Sequence, residues 1–171
     1  MDWLAQVDGY CERTDFSFWS EPLNAVTNAA FIIAALVMWR RSAGLPTARL
    51  LCAIVFAIGL GSFLFHTHAT VWAALADVAP IGLFILTYLF LTNRDLVGMP
   101  WWAAMAVTGL FAPFAYVKVL FLNQIPFFNI SNFYWTVPIL LIGYGTYLRG
   151  TVGKGFLIGA GILCVSITLR S

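Results

Sequence analysis

Both histidines of the chain, His66 and His68, fall in one short stretch, GSFLFHTHAT at residues 61 to 70, where Ser62 stands four positions before His66. On a helix, residues four apart share a face and lie one turn from each other, so hydroxyl and imidazole point the same way. His68 is turned about 200° from His66 at 3.6 residues per turn, so the two rings do not share a metal on an unbroken helix. Asp77 comes about two turns into the next apolar segment, after a tight connection at His68 to Thr70. Antiparallel neighbours joined this closely bring Asp77 and His66 to similar depth. That arrangement puts serine, imidazole and carboxylate around one point.

Each residue also has a plainer reading. Ser62 can bond back to its own helix, the histidines can sit at an interface, and Asp77 can pair with a neighbour. Asp77 fits that reading least, because a charge near mid-membrane costs about 2.5 to 3.5 kcal/mol on insertion scales. No Lys or Arg on the adjoining segments reaches its depth. Imidazole beside a carboxylate suits zinc, yet one histidine does not hold zinc alone.

The elements that must position these residues are apolar helices. The chain is 171 residues long, 61% hydrophobic and 9% charged, with a mean hydropathy of +0.89. That composition lies outside the soluble range and marks an integral membrane protein. Six stretches approach the ~20 apolar residues that span a bilayer: Leu23 to Trp39, Thr47 to Phe65, Val71 to Leu91, Trp101 to Phe121, Phe133 to Leu148, and Gly153 to Leu169. Runs such as LLCAIVFAIGLG lack the alternation of barrel strands. The expected fold is therefore all-α, a polytopic transmembrane helical bundle, with residues 1–171 as a single domain made of an acidic segment (1–21) and a bundle (22–171). Cys11, Cys52 and Cys164 are scattered and suggest neither a disulfide framework nor a thiolate metal site.

Charge orients the chain. Arg40, Arg41, Arg49, Arg94, Arg149 and Lys154 fall on one side when loops alternate, and Arg13, Lys118 and Arg170 on the other. Cytoplasmic loops collect the basic residues, so the N-terminus is expected to be extracytoplasmic. The net charge of +2 reflects loop arginines and implies no nucleic-acid partner.

Asp2, Asp8, Glu12, Asp15 and Glu21 are five of the seven acidic residues, all ahead of the first apolar stretch. Such a density of hard oxygen donors suits calcium, which takes 6 to 8 oxygens. The alternative is a solvated acidic tail in which Ser20 caps the first helix and Glu21 and Pro22 begin it. Asn24 and Asn28 place amides on one face of that helix, turned toward a partner.

Taken together, YCE and SEPLNAVTN (residues 10 to 12 and 20 to 28), GSFLFH (61 to 66) and Asp77 eleven positions on resemble the alkaline ceramidases. These sit in a wider superfamily of seven-helix membrane hydrolases that also contains adiponectin-type receptors. The resemblance implies a zinc-dependent hydrolase that cleaves ceramide or a similar N-acyl lipid to sphingoid base and fatty acid. It implies that His66 is a zinc ligand, that Ser62 stabilises the oxyanion, and that Asp77 acts on the metal-bound water. It further implies a calcium site formed by Asp8, the Tyr10 carbonyl, Glu12, Thr14 and Glu21, with Thr14 and Asp15 both open for one position. His68 receives no role. The family draws its other zinc ligands from an HxxxH pair on a seventh helix, which is expected beyond Ser171. The main alternative is a receptor or metal sensor of the same superfamily that binds lipid without turnover. A small transporter using Asp77 as a proton relay is a second.

Overall fold

The structure, a computed structural model, describes residues 2–7, 12–125 and 134–170. Every regular element among them is helical: α1 (Pro22–Thr27), α2 (Ala29–Arg41), α3 (Pro46–His68), α4 (Val71–Leu91), a π-helical turn (Thr92–Leu96), α5 (Trp101–Gly109), α6 (Phe111–Leu122), α7 (Thr136–Leu148) and α8 (Gly150–Arg170). Five stretches are long and apolar enough to cross a membrane, namely Pro22–Arg41, Pro46–His68, Val71–Leu96, Trp101–Leu122 and Gly150–Leu169. Each overlaps one of the expected spans. The expected span from Phe133 to Leu148 begins outside the described residues, and α7 itself has 13 residues. That is about 20 Å of helix at 1.5 Å per residue, short of the ~30 Å hydrocarbon core.

Local chemistry explains the interruptions. Pro22 and Pro46 open α1 and α3, where a missing N–H costs nothing. Pro113 gives the Gly109 carbonyl no N–H and crowds it, and the helix breaks at Leu110 between α5 and α6. Between α1 and α2, the Asn28 side-chain amide donates to the Asn24 carbonyl at 2.8 Å, and the Thr27 hydroxyl donates to the Leu23 carbonyl at 2.8 Å. Such back-bonding competes with the helix ladder.

The chain divides into two compact units, Met1–Tyr88 and Leu89–Ser171. In the first, α3 is the inner helix, with Cys52, Ile54, Ile58, Gly59, Gly61, Ser62, Phe65, His66 and Thr67 buried. Gly59 lets α2 close on it, since a Cβ there would lie 2.9 Å from the Ile32 side chain and 3.3 Å from the Asn28 carbonyl. In the second unit, a turn through Arg149 (φ 52°) and Gly150 (φ 56°) folds α8 back on α7. A Cβ at Gly145 would lie 2.8 Å from Leu157, so small residues set the approach of these helices. The Tyr144 hydroxyl donates to Asn93 Oδ1 at 2.8 Å and ties α7 to the π-helical turn.

Candidate functional site

The last two turns of α3 bear out the difference between its histidines. His66 is 6% exposed and Ser62 9%, so both lie on the buried face. His68 is exposed, with Phe18 edge-on at 5.6 Å and Trp72 tilted at 5.5 Å between ring centroids. An aromatic, accessible setting is ordinary for an interfacial imidazole. Ala69 ends the helix in the left-handed region at φ 46°, and its N–H donates to the Phe65 carbonyl at 2.9 Å.

Asp77 is brought to this face by two residues that carry no chemistry of their own. Pro80, inside α4, has no N–H for the Ala76 carbonyl four residues earlier. Gly61 on α3 lies directly against that carbonyl. A Cβ at Gly61 would collide with the Ala76 oxygen and lie 3.2 Å from Asp77 Cα. The backbone of Asp77 is therefore level with Gly61 and Ser62. It is not level with His66, as the short connection suggested; the residue symmetric with His66 about the turn is Trp72, and the imidazole sits one turn nearer the helix end.

The acidic segment folds over that end. Arg13, with a side chain 1% exposed, donates from Nε to Glu21 Oε1 at 2.6 Å. Its other nitrogens donate to the Asp15 and His66 carbonyls, each at 3.0 Å. Glu21 Oε2 lies 2.5 Å from His66 Nδ1 and accepts from the Asn24 amide at 3.3 Å. Glu12 takes the Leu23 and Asn24 N–H groups at 2.9 and 3.1 Å. Glu12, rather than the expected Ser20, thus caps α1. The Ser20 hydroxyl is turned the other way and accepts from the Thr14 and Asp15 N–H groups at 3.1 and 3.2 Å. Hydrogen bonds from Ser17 hold the exposed Asp15 carboxyl below the usual carboxylate range.

These contacts bear on the expected metals. Of the calcium set, Asp8 and Tyr10 lie outside the described residues. Both oxygens of Glu12 and both of Glu21 are engaged by N–H donors, and Thr14 is exposed. Zinc has His66 as its one imidazole on this face. Among the described residues no group of three His, Cys, Asp or Glu is placed to hold a metal. The donor sets for zinc and calcium are thus not completed by the described residues. Sequence reasoning missed Arg13, counting it only as an outer-side charge, although it is the one basic residue before Arg40 and stands between Glu12 and Asp15.

The sequence model of the Ceramidase family matches residues 5–154, which include Arg13, Glu21, Ser62, His66 and Asp77. The chain belongs to the ceramidase family. No curated protein and no solved structure matches it. Membership makes a membrane-associated hydrolase of lipid amides the general role of this ceramidase-family chain.

The Gly61 contact gives a direct test. In this ceramidase-family chain, Gly61→Ala forces α3 from the Ala76 carbonyl and shifts Asp77 relative to Ser62. If Asp77 serves the reaction, a shift of about 1 Å costs on the order of 100-fold in rate, and overpacking costs about 1 to 3 kcal/mol. Turnover of a ceramide substrate and the melting temperature both fall. Gly82→Ala on α4, where the space is open, leaves turnover unchanged. Equal turnover for the two variants would show that the Gly61 approach does not set the site.

Proposed function

We propose that the protein cleaves the amide bond of ceramide, or of a closely similar N-acyl lipid, to give a fatty acid and a sphingoid base. The observation that carries this reading is the family match over residues 5–154, which takes in most of the acidic segment together with Ser62, His66 and Asp77. A site among apolar helices suits a two-tailed lipid that approaches from the bilayer.

The chain's own groups divide the work as follows. Asp77 accepts a proton from the attacking water as its oxygen bonds to the amide carbon, and returns it to the nitrogen as the C–N bond breaks. Ser62 donates a hydrogen bond to the carbonyl oxygen as negative charge develops there. His66, with Nδ1 directed at Glu21, offers Nε2 to the reacting centre, and it is the residue with the chemistry to hold zinc. Since zinc's full donor set is not present among the described residues, no step is assigned to it.

Purified full-length protein in mixed micelles should release free fatty acid from a ceramide, and His66→Ala should abolish the release. A protein that retains ceramide without releasing fatty acid would be a lipid-binding receptor.

A further inference from the structure

We propose that Arg13 is the resident cation of the acidic segment, holding Glu21 so that His66 is fixed with its proton on Nδ1. The guanidinium reaches oxygens from separate parts of the chain: the Glu21 carboxylate at 2.6 Å, and the Asp15 and His66 carbonyls at 3.0 Å each. The Phe16 ring lies 5.9 Å below it. The His66 carbonyl belongs to the last turn of α3, where the helix end favours a positive charge. A calcium ion placed there would need 6 to 8 oxygens at about 2.3 to 2.6 Å. The carboxylates instead meet directional N–H donors, Glu12 from the start of α1 and Glu21 from Arg13, Asn24 and His66. Among the described residues, the positive charge beside Glu21 is supplied by Arg13.

The consequence passes to the imidazole. Glu21 Oε1 is fixed by Arg13, which leaves Oε2 aimed at His66 Nδ1 at 2.5 Å. A carboxylate accepts, so the proton in this contact sits on Nδ1. Arg13 is then a positioning residue that acts through Glu21. Its effect on turnover rests on the function proposed above, whereas its effects on calcium response and on the imidazole do not.

The test uses full-length protein in micelles, first in buffer stripped of calcium and then with calcium chloride added. The wild type should bind no calcium at equilibrium and show one melting temperature in both buffers. In nitrogen-15 spectra of histidine-labelled protein, the signals lost in His66→Asn are those of His66. His66 should show a protonated Nδ1 and an unprotonated Nε2. Arg13→Gln should move its signals to a mixture of tautomers and lower kcat by about 10- to 100-fold, the usual loss when the partner that orients a functional histidine is removed. Arg13→Lys should restore the tautomer and part of kcat. Stoichiometric calcium binding that raises the wild-type melting temperature would overturn the proposal, as would His66 signals identical in the wild type and Arg13→Gln. Should Arg13→Gln fail to fold, the wild-type calcium measurement and the Arg13→Lys spectrum decide.

Discussion

Asp77→Asn lowers kcat for ceramide hydrolysis by about 10²- to 10⁴-fold, the range that a positioned general base supplies. The amide matches the carboxylate in shape but does not accept a proton at neutral pH. The Gly61 and Ala76 contact involves backbone alone, so it survives the exchange and α4 keeps its place. The melting temperature and KM should therefore stay near the wild-type values. Loss confined to kcat identifies a group that acts in the transition state. A variant with wild-type kcat would remove Asp77 from the reaction and return it to the plainer role of a polar residue paired inside the bundle.

Glu21→Ala has the largest expected effect on stability. Glu21 and Arg13 form a salt bridge with side chains 2% and 1% exposed, and the same carboxylate meets His66. Removing one partner of a buried pair costs about 3 to 5 kcal/mol, because the remaining charge is left without compensation. Replacing both partners with apolar residues of similar size costs far less by the same reasoning. Arg13→Met combined with Glu21→Leu should thus unfold at a higher temperature than Glu21→Ala alone, while lacking activity. Thermal unfolding in micelles, followed by circular dichroism, compares the variants. A double variant no more stable than the single one would mean that the pair is not the source of the loss.

The sequence revealed five of the six expected spans because hydropathy accumulates over some twenty neighbours and tolerates local exceptions. It revealed the inward face of Ser62 and His66 because helical spacing is a local property. It did not reveal where Asp77 would sit. That level follows from the fit between Gly61 and the Ala76 carbonyl, to which Pro80 offers no N–H, a contact between helices that no spacing rule counts. Glu21 meets His66 across 45 positions, and Arg13 meets the His66 carbonyl across 53. Such choices are made in three dimensions. Ser20 illustrates the point, since it has the right type and place to cap α1 yet bonds backward into the loop while Glu12 does the capping. The break at Leu110 was available from Pro113, but a search for continuous apolar length passes over it.

The first residues of the chain reach across to the turn between α3 and α4. The Val7 N–H donates to the Ala69 carbonyl at 2.8 Å, Val71 to Ala5 at 3.0 Å, and Trp72 to Trp3 at 3.1 Å. Gln6 and Thr70 pair as an antiparallel bridge. During synthesis this segment is made before its partners, which do not exist until α3 and the turn have followed. Residues 3 to 7 must wait, without these bonds, while two spans are made and inserted. Closing this bridge consequently follows the making of α3, and a chain that stops before residue 72 would hold α1 to α3 with residues 3 to 7 still unpaired.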